Sequence, residues 1–234
     1  MDGSPPVPPA VEEARVARRL FLAGATGATG RTLRPLASAL DADIISHLRP
    51  ATAARLGQDA PSPSAVFDLT DSDALRSALE GRSCVLQLIG TMRKRFASGD
   101  TYETSDIGTT RSLVEAALDA DVDHFVLLSS VGAGSPTGSY LKAKAEAERL
   151  VVESGIPWTI FRPSAFVGEG HGLPLGLHHL MRPLVPAKYK PIAIEDLAAA
   201  LLHVALERAP LGAVLEGQTL WEAVDAAQKS AQSA

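Results

Sequence analysis

Short apolar runs rich in β-formers alternate along this chain with stretches of helical character. Leu20–Ala23, Asp43–Leu48, Ala65–Phe67, Cys84–Ile89, Phe125–Leu128 and Trp158–Phe161 predict strands. Helical patterns fill the intervals, at residues 30–40, 71–80, 102–119 and 139–153, and IEDLAAALLHVALE predicts a further helix before AVLEG, a last short strand. Strand–helix alternation of this kind implies a parallel sheet covered by helices on both faces, so the fold class is α/β, doubly wound, in a single domain. Thr70 followed by Asp73 has the spacing of a capping box, and Gly81 predicts a C-terminal cap. Pro35 is a local misfit: it falls past the first turn of the first helix, which must start late or kink there.

The first strand runs directly into GATGATGR, residues 24–31. A chain puts three glycines between a buried strand and a helix when something must approach the backbone closely. Gly24 lets the chain turn out of the strand, Gly27 removes a side chain where a pyrophosphate would lie, and Gly30 lets the helix pack against the sheet. The helix start then offers free N–H groups and a positive dipole to phosphate. Thr26 and Thr29 add hydroxyl donors, Ala28 completes the loop, and Arg31 follows it as a further phosphate contact. The spacing is G-x-x-G-x-x-G, and its context of strand before and helix after predicts a dinucleotide site. Such a site chooses between NAD and NADP near the end of the second strand, where a carboxylate binds a ribose 2′-hydroxyl and an arginine accommodates a 2′-phosphate. Here no carboxylate follows the strand; Arg49 does, with His47 nearby and Arg55 further on, which favours NADP(H) over NAD(H).

Tyr140 and Lys144 stand four apart at the start of a helical run, on one face. Ser129 and Ser130 end the preceding strand, at the edge where ligands bind in open parallel sheets. This set suits carbonyl reduction by hydride: a phenol donates the proton, a nearby ammonium favours the phenolate, and a serine hydroxyl holds the carbonyl oxygen.

With these segments the chain resembles the short-chain dehydrogenase/reductase superfamily in its atypical branch. The resemblance covers nearly all of residues 19–220 and rests on GATGATGR, FDLTDSDAL, GTTRSLVEAALDADVDHFVLLSSVGA, YLKAKAEAERLVVESGIPWTIFRPSAFVG and PIAIEDLAAAL. That branch includes reductases, NmrA-like redox sensors and a dehydrogenase-like accessory subunit of respiratory complex I. The resemblance implies a Rossmann fold with NADP(H) across the C-terminal edge of the sheet and a small substrate-side segment at the C-terminus. It implies that Asp68 and Leu69 contact the adenine, that Gly90 lies near a cofactor ribose, and that the Pro163, Ser164, Ala165 and Phe166 backbone borders the nicotinamide. Ser130, Tyr140 and Lys144 match the family triad, and Lys144 would also bind the nicotinamide ribose. One departure stands out: Ser130 and Tyr140 are closer in sequence than in typical catalytic members.

Composition adds limits. The 234 residues suit one α/β domain, with 46% hydrophobic and 21% charged residues. A net charge of −5 with scattered basic residues argues against nucleic acid as partner. The one cysteine, Cys84, excludes an intrachain disulfide and reads as a core residue. Residues 1–17 are Pro-rich and then charged, and read as a mobile extension of a cytoplasmic protein, with Arg15, Arg18 and Arg19 giving that end some basic character. No apolar run approaches a membrane span. Arg93, Lys94 and Arg95 cluster after the fourth strand, as a solvated loop or as an attractor for anions. His171, His178 and His179 lack an acidic partner at metal-ligand spacing, while Leu173, Leu177, Leu180 and Met181 suggest an apolar lid or an interface, with a homodimer as one way of completing a shallow pocket. Two functions stay open: an NADP(H)-dependent reductase of a small carbonyl compound, and an NADP(H)-binding redox sensor or assembly protein without turnover, acting on a protein partner. Sugar-nucleotide epimerisation fits less well, because the C-terminal region is short for such a substrate.

Overall fold

The computed structural model describes residues 18–90, 101–167 and 185–233. The extension 1–17, the Arg93–Lys94–Arg95 cluster, and the segment carrying His171, His178, His179 and the lid leucines lie outside the described residues. Strands β1 (Arg19–Ala23), β2 (Asp43–Leu48), β3 (Ser64–Val66), β4 (Cys84–Gln87), β5 (His124–Leu128) and β6 (Trp158–Phe161) lie where the apolar runs predict them, to within two residues. A short pair follows, β7 (Phe166–Val167) and β8 (Ile192–Ala193), and then β9 (Ala213–Leu215). The helices are α1 (Ala28–Ala39), α2 (Pro50–Leu56), α3 (Ser72–Leu79), α4 (Thr109–Asp119), α5 (Gly138–Glu153), α6 (Ile194–Glu207) and α7 (Gln218–Ser233), with a π-helical turn at Glu103–Gly108 leading into α4.

Seven strands form one sheet in the order β3-β2-β1-β4-β5-β6-β9, every pair parallel. This is the Rossmann arrangement the sequence predicts. The alternation along β1 shows why both faces are covered. Leu20 and Leu22 point into one cluster with Leu33 and Ala37 of α1 and Leu197 and Leu201 of α6. Phe21 and Ala23 point into the other, with Leu75 and Leu79 of α3, Leu113 and Ala117 of α4 and Val151 of α5. Each leucine, valine or phenylalanine among them stabilises the fold by about 2 kcal/mol on burial, more than a surface ion pair typically contributes. Cys84 is fully buried at the start of β4, and burial pushes its thiol up to about 12, so it is an inert core residue as expected. Arg18 and Arg19 belong to the fold rather than to a basic extension: Arg18 pairs with Asp123 at 2.8 Å and Arg19 with Asp43 at 2.9 Å.

Several boundaries depart from expectation for identifiable reasons. The first helix starts at Ala28 and runs through Pro35. Pro35 is exposed, so the carbonyl it leaves without an N–H partner faces water rather than the core. Asp71, not Thr70, caps α3: its Oδ1 accepts the Ala74 N–H at 3.0 Å. Gly81 follows that helix with φ of +64°. Strand β4 stops at Gln87 because its side-chain Oε1 turns back to accept the Ile89 N–H at 2.9 Å. Helix α2 was not expected, though its start on Pro50 and its end at Gly57 follow the usual proline-first, glycine-last asymmetry. Among the described residues no helix is long and apolar enough to cross a membrane.

One buried polar group makes the fold sensitive to acid. His124 Nε2 lies 2.9 Å from Thr159 Oγ1, whose hydroxyl donates to the Pro210 carbonyl, so the imidazole is the donor between them. Burial, reinforced by the Arg18 charge, pulls His124 down to about 4 from the ordinary histidine value of 6.5. The unfolded chain therefore binds an extra proton between these values, and stability is lost as pH falls through this window. Lowering the pH from about 7 to about 5 should cost about 2 kcal/mol through this residue. In His124→Gln, which keeps a donor toward Thr159, most of that loss should vanish in urea unfolding; His47, also held low by burial, leaves a smaller slope of the same sign.

Candidate dinucleotide site

A cavity of about 520 Å³ opens at the C-terminal ends of the central strands, where the chain order reverses between β1 and β4. Its floor and near wall are the glycine loop. Gly24 has φ of +101°, and a Cβ there would lie 2.9 Å from the Leu88 carbonyl carbon. The Gly27 N–H donates to the Gly24 carbonyl at 3.0 Å, closing the turn. A Cβ on Gly30 would stand 2.3 Å from that same oxygen, so only glycine permits α1 to begin here. Gly27 caps α1 with φ of −70° and no side-chain hydrogen bond, so the first N–H groups of the helix have no capping side chain, and Ala28, Thr29 and Gly30, which carry them, border the cavity. This bare, cationic helix end fits a pyrophosphate.

Thr26 and Thr29 line the same wall. Arg31 does not: its guanidinium folds back and donates to the Thr26 carbonyl at 2.7 Å, bracing the loop from outside. On the β2 side the cavity is bordered by His47, Leu48, Arg49, Thr52, Asp68 and Leu69, which brings together the residues expected around an adenosine. Arg49 caps α2, whose first turn returns to the Arg49 carbonyl. His47 Nε2 contacts the Phe67 carbonyl at 2.8 Å, and burial holds the ring below the ordinary histidine range, so it is a neutral donor there.

The opposite end is bordered by Gly90, Thr104, Ser105, Ser129, Tyr140, Lys144 and Phe166. Lys144 is buried and pairs with Asp106 at 2.8 Å, while also donating to the Leu128 carbonyl at 3.3 Å. Gly90 lies close against this ammonium: a Cβ there would stand 3.0 Å from Lys144 Nζ. Tyr140 is 36% exposed at the rim, its ring 5.6 Å from that of Tyr102. Of the two serines, Ser129 faces the cavity, whereas Ser130 is not part of its lining and its Oγ makes a long 3.4 Å contact to the Val131 carbonyl. The Ser129 hydroxyl donates to Glu148, which is held by both Arg162 Nε at 2.9 Å and Nη2 at 2.5 Å. The Ser129 proton is thus spent on Glu148. Pro163, Ser164 and Ala165 are likewise off the lining; Ser164 Oγ donates to the Lys190 carbonyl at 2.5 Å and the Ala165 carbonyl accepts from Ile192 at 3.0 Å, leaving Phe166 to border the cavity.

Asp106, Glu148 and Arg162 escaped the sequence reading. A signal for the first was present. Asp106 shares the stripe 106, 110, 113, 114, 117 with Thr110, Leu113, Val114 and Ala117, all of them buried, and a carboxylate on an inward face needs a partner.

Residues 24–208 match the NAD(P)H-binding family. The chain belongs to that family. Among curated relatives of this NAD(P)H-binding chain, the L-arabinose 1-dehydrogenase (NAD(P)(+)) of Haloferax volcanii is 37% identical over 113 residues, 48% of this chain and 41% of that protein. The mitochondrial protein FMP52 of Candida albicans is 30% identical over 164 residues, 65% of this chain and 70% of that protein. The chain thus spans well under half the length of the dehydrogenase. In fold it is similar to the oxidoreductase ylbE of Lactococcus lactis, with a TM-score of 0.66 and 22% identity over 90% of this chain and 97% of that one.

Two glycines separate folding from binding. Gly30→Ala should lower stability by about 2–3 kcal/mol, because backbone must move. Gly27→Ala, whose Cβ meets only the Gly24 carbonyl at 3.3 Å, should stay within about 1 kcal/mol of the parent in thermal unfolding. Yet it should weaken dinucleotide binding by about tenfold or more, by standing where the phosphate approaches.

Proposed function

We propose that this NAD(P)H-binding chain is an NADP(H)-dependent reductase of a small carbonyl compound. The observation that carries this is one continuous cavity joining a bare helix start, Arg49 and the Tyr140–Lys144 pair. The glycine loop holds the pyrophosphate, and Asp68 and Leu69 border the adenine. Arg49 stands where a 2′-phosphate needs a cation, with no carboxylate in its place on β2's end. When bound, the reduced dinucleotide supplies the two-electron reducing equivalent. Tyr140, at the rim, gives its hydroxyl proton to the substrate oxygen as that oxygen gains charge. Lys144 supplies a positive charge in the same wall, and the Asp106 pair fixes where it sits. Ser130, the serine expected to position the oxygen, is not in the cavity lining; its neighbour Ser129 is, with its hydroxyl proton given to Glu148.

A second reading, an NADP(H)-binding module without turnover, draws support from the same wall. Lys144 is committed to Asp106 and the Ser129 hydroxyl to Glu148, so neither is wholly free for catalysis.

Calorimetric titration should show NADPH binding more tightly than NADH, with Arg49→Ala removing most of the difference. Tyr140→Phe should lower NADPH oxidation against a panel of aldehydes and ketones by about 10²–10⁴-fold while leaving NADPH binding within about twofold. A parent protein that binds NADPH but oxidises it with no carbonyl compound would leave the binding module as the function.

A further inference from the structure

Arg49 and Asp68 border the adenosine end of the cavity. At the other end the ionic groups are compensated in buried pairs: Lys144 with Asp106, at 7% and 0% side-chain exposure, and one turn further along α5, Glu148 with Arg162. Of the first pair Lys144 borders the cavity beside Gly90, while Asp106 stands behind it, fully buried.

The direction of the ligand follows from the fold. Phosphates at the α1 start and the adenosine over the ends of β2 and β3 leave the nicotinamide over the ends of β4 and β5, where Lys144 lies. The two redox forms of a nicotinamide differ by one unit of charge on the ring, the oxidised form being positive. A lone ammonium in this low-dielectric wall would disfavour the oxidised form, a lone carboxylate would favour it, and a closed pair does neither.

We propose that Asp106 sets the relative affinity of the groove for oxidised and reduced dinucleotide, by cancelling the charge of Lys144 at the nicotinamide end. This rests on the reading that the groove takes NADP(H), and is independent of whether turnover occurs. Asp106 acts through Lys144 and is a positioning residue. The π-helical turn at Glu103–Gly108 carries it to the pair, with the Thr110 hydroxyl donating to the Asp106 carbonyl at 2.7 Å.

The test is calorimetric titration of the purified chain with NADP⁺ and NADPH separately, for the parent, Asp106→Asn, Lys144→Gln and the double variant. The single variants are measured at about pH 6 and about pH 9, since an unpaired buried lysine keeps its charge at the lower value and an unpaired buried carboxylate at the higher. Asp106→Asn should raise the ratio of the NADP⁺ to the NADPH dissociation constant by about tenfold at the lower pH, and Lys144→Gln should lower it by about tenfold at the higher. The double variant should return to within about threefold of the parent. A merely structural pair would weaken both forms alike and leave the ratio unmoved; that result overturns the proposal. If Asp106→Asn does not fold, Lys144→Gln against the double variant still gives the sign. Failure of the parent to bind either form overturns the dinucleotide reading itself, whereas binding with an unmoved ratio overturns only the role of Asp106.

Discussion

The Gly24 carbonyl is the point on which this architecture turns. It accepts the Gly27 N–H at 3.0 Å and lies where any side chain on Gly30 would have to be. That single close approach sets the angle at which α1 leaves β1. It thereby sets how α1 meets α6, whose small residues Ala198, Ala200 and Ala205 are buried. The same approach strips the helix start of side chains and exposes its N–H groups. Packing and ligand recognition are therefore one constraint here, because the backbone that lets the helix close on the sheet is also the backbone that meets a phosphate.

The remainder of the site is electrostatic and is built from pairs. Lys144–Asp106 and Glu148–Arg162 both draw on α5, from adjacent turns of its inward face. A buried charge stays ionised only with a partner, so each inward charge on α5 forces an opposite one on the element packed against it. That element is the turn before α4 in one case and the end of β6 in the other. The result is a cavity with an open, cationic helix start at its centre and a closed, compensated wall at one end.

Local chemistry made much of this legible in the sequence. The buried strands, the glycine turn and the adjacent Arg49 could be read because each depends on a contiguous stretch: apolar runs, spacing of glycines, a residue just past a strand. What escaped depends on pairing between distant segments. Asp106 and Lys144 are 38 positions apart, and Ser129 reaches Glu148 across a loop and the first turns of α5. Ser129 and Ser130 are indistinguishable as neighbours in a sequence, and only the path of the chain after β5 decides which faces the groove. The cap of α3 was misplaced by one residue for a similar reason, since Thr70, Asp71 and Asp73 all carry capping oxygens and the backbone's turn selects among them. Helix α2 was missed through its brevity, its seven residues having no buried face to mark them.

The π-helical turn at Glu103–Gly108 gives the chain an unusual kind of memory. A turn of this type holds one residue more than an α-helical turn, so everything before it is rotated by about 100° relative to a continuous helix. The meeting of Asp106 with Lys144 is therefore written in the count of residues as well as in their identities. Deleting Ile107 or Gly108, between Asp106 and α4, would leave every side chain of the site present in the sequence and carry the carboxylate off to another face. In lineages that share this fold, a gap of one position here would mark a change in the groove's charge that no substitution records.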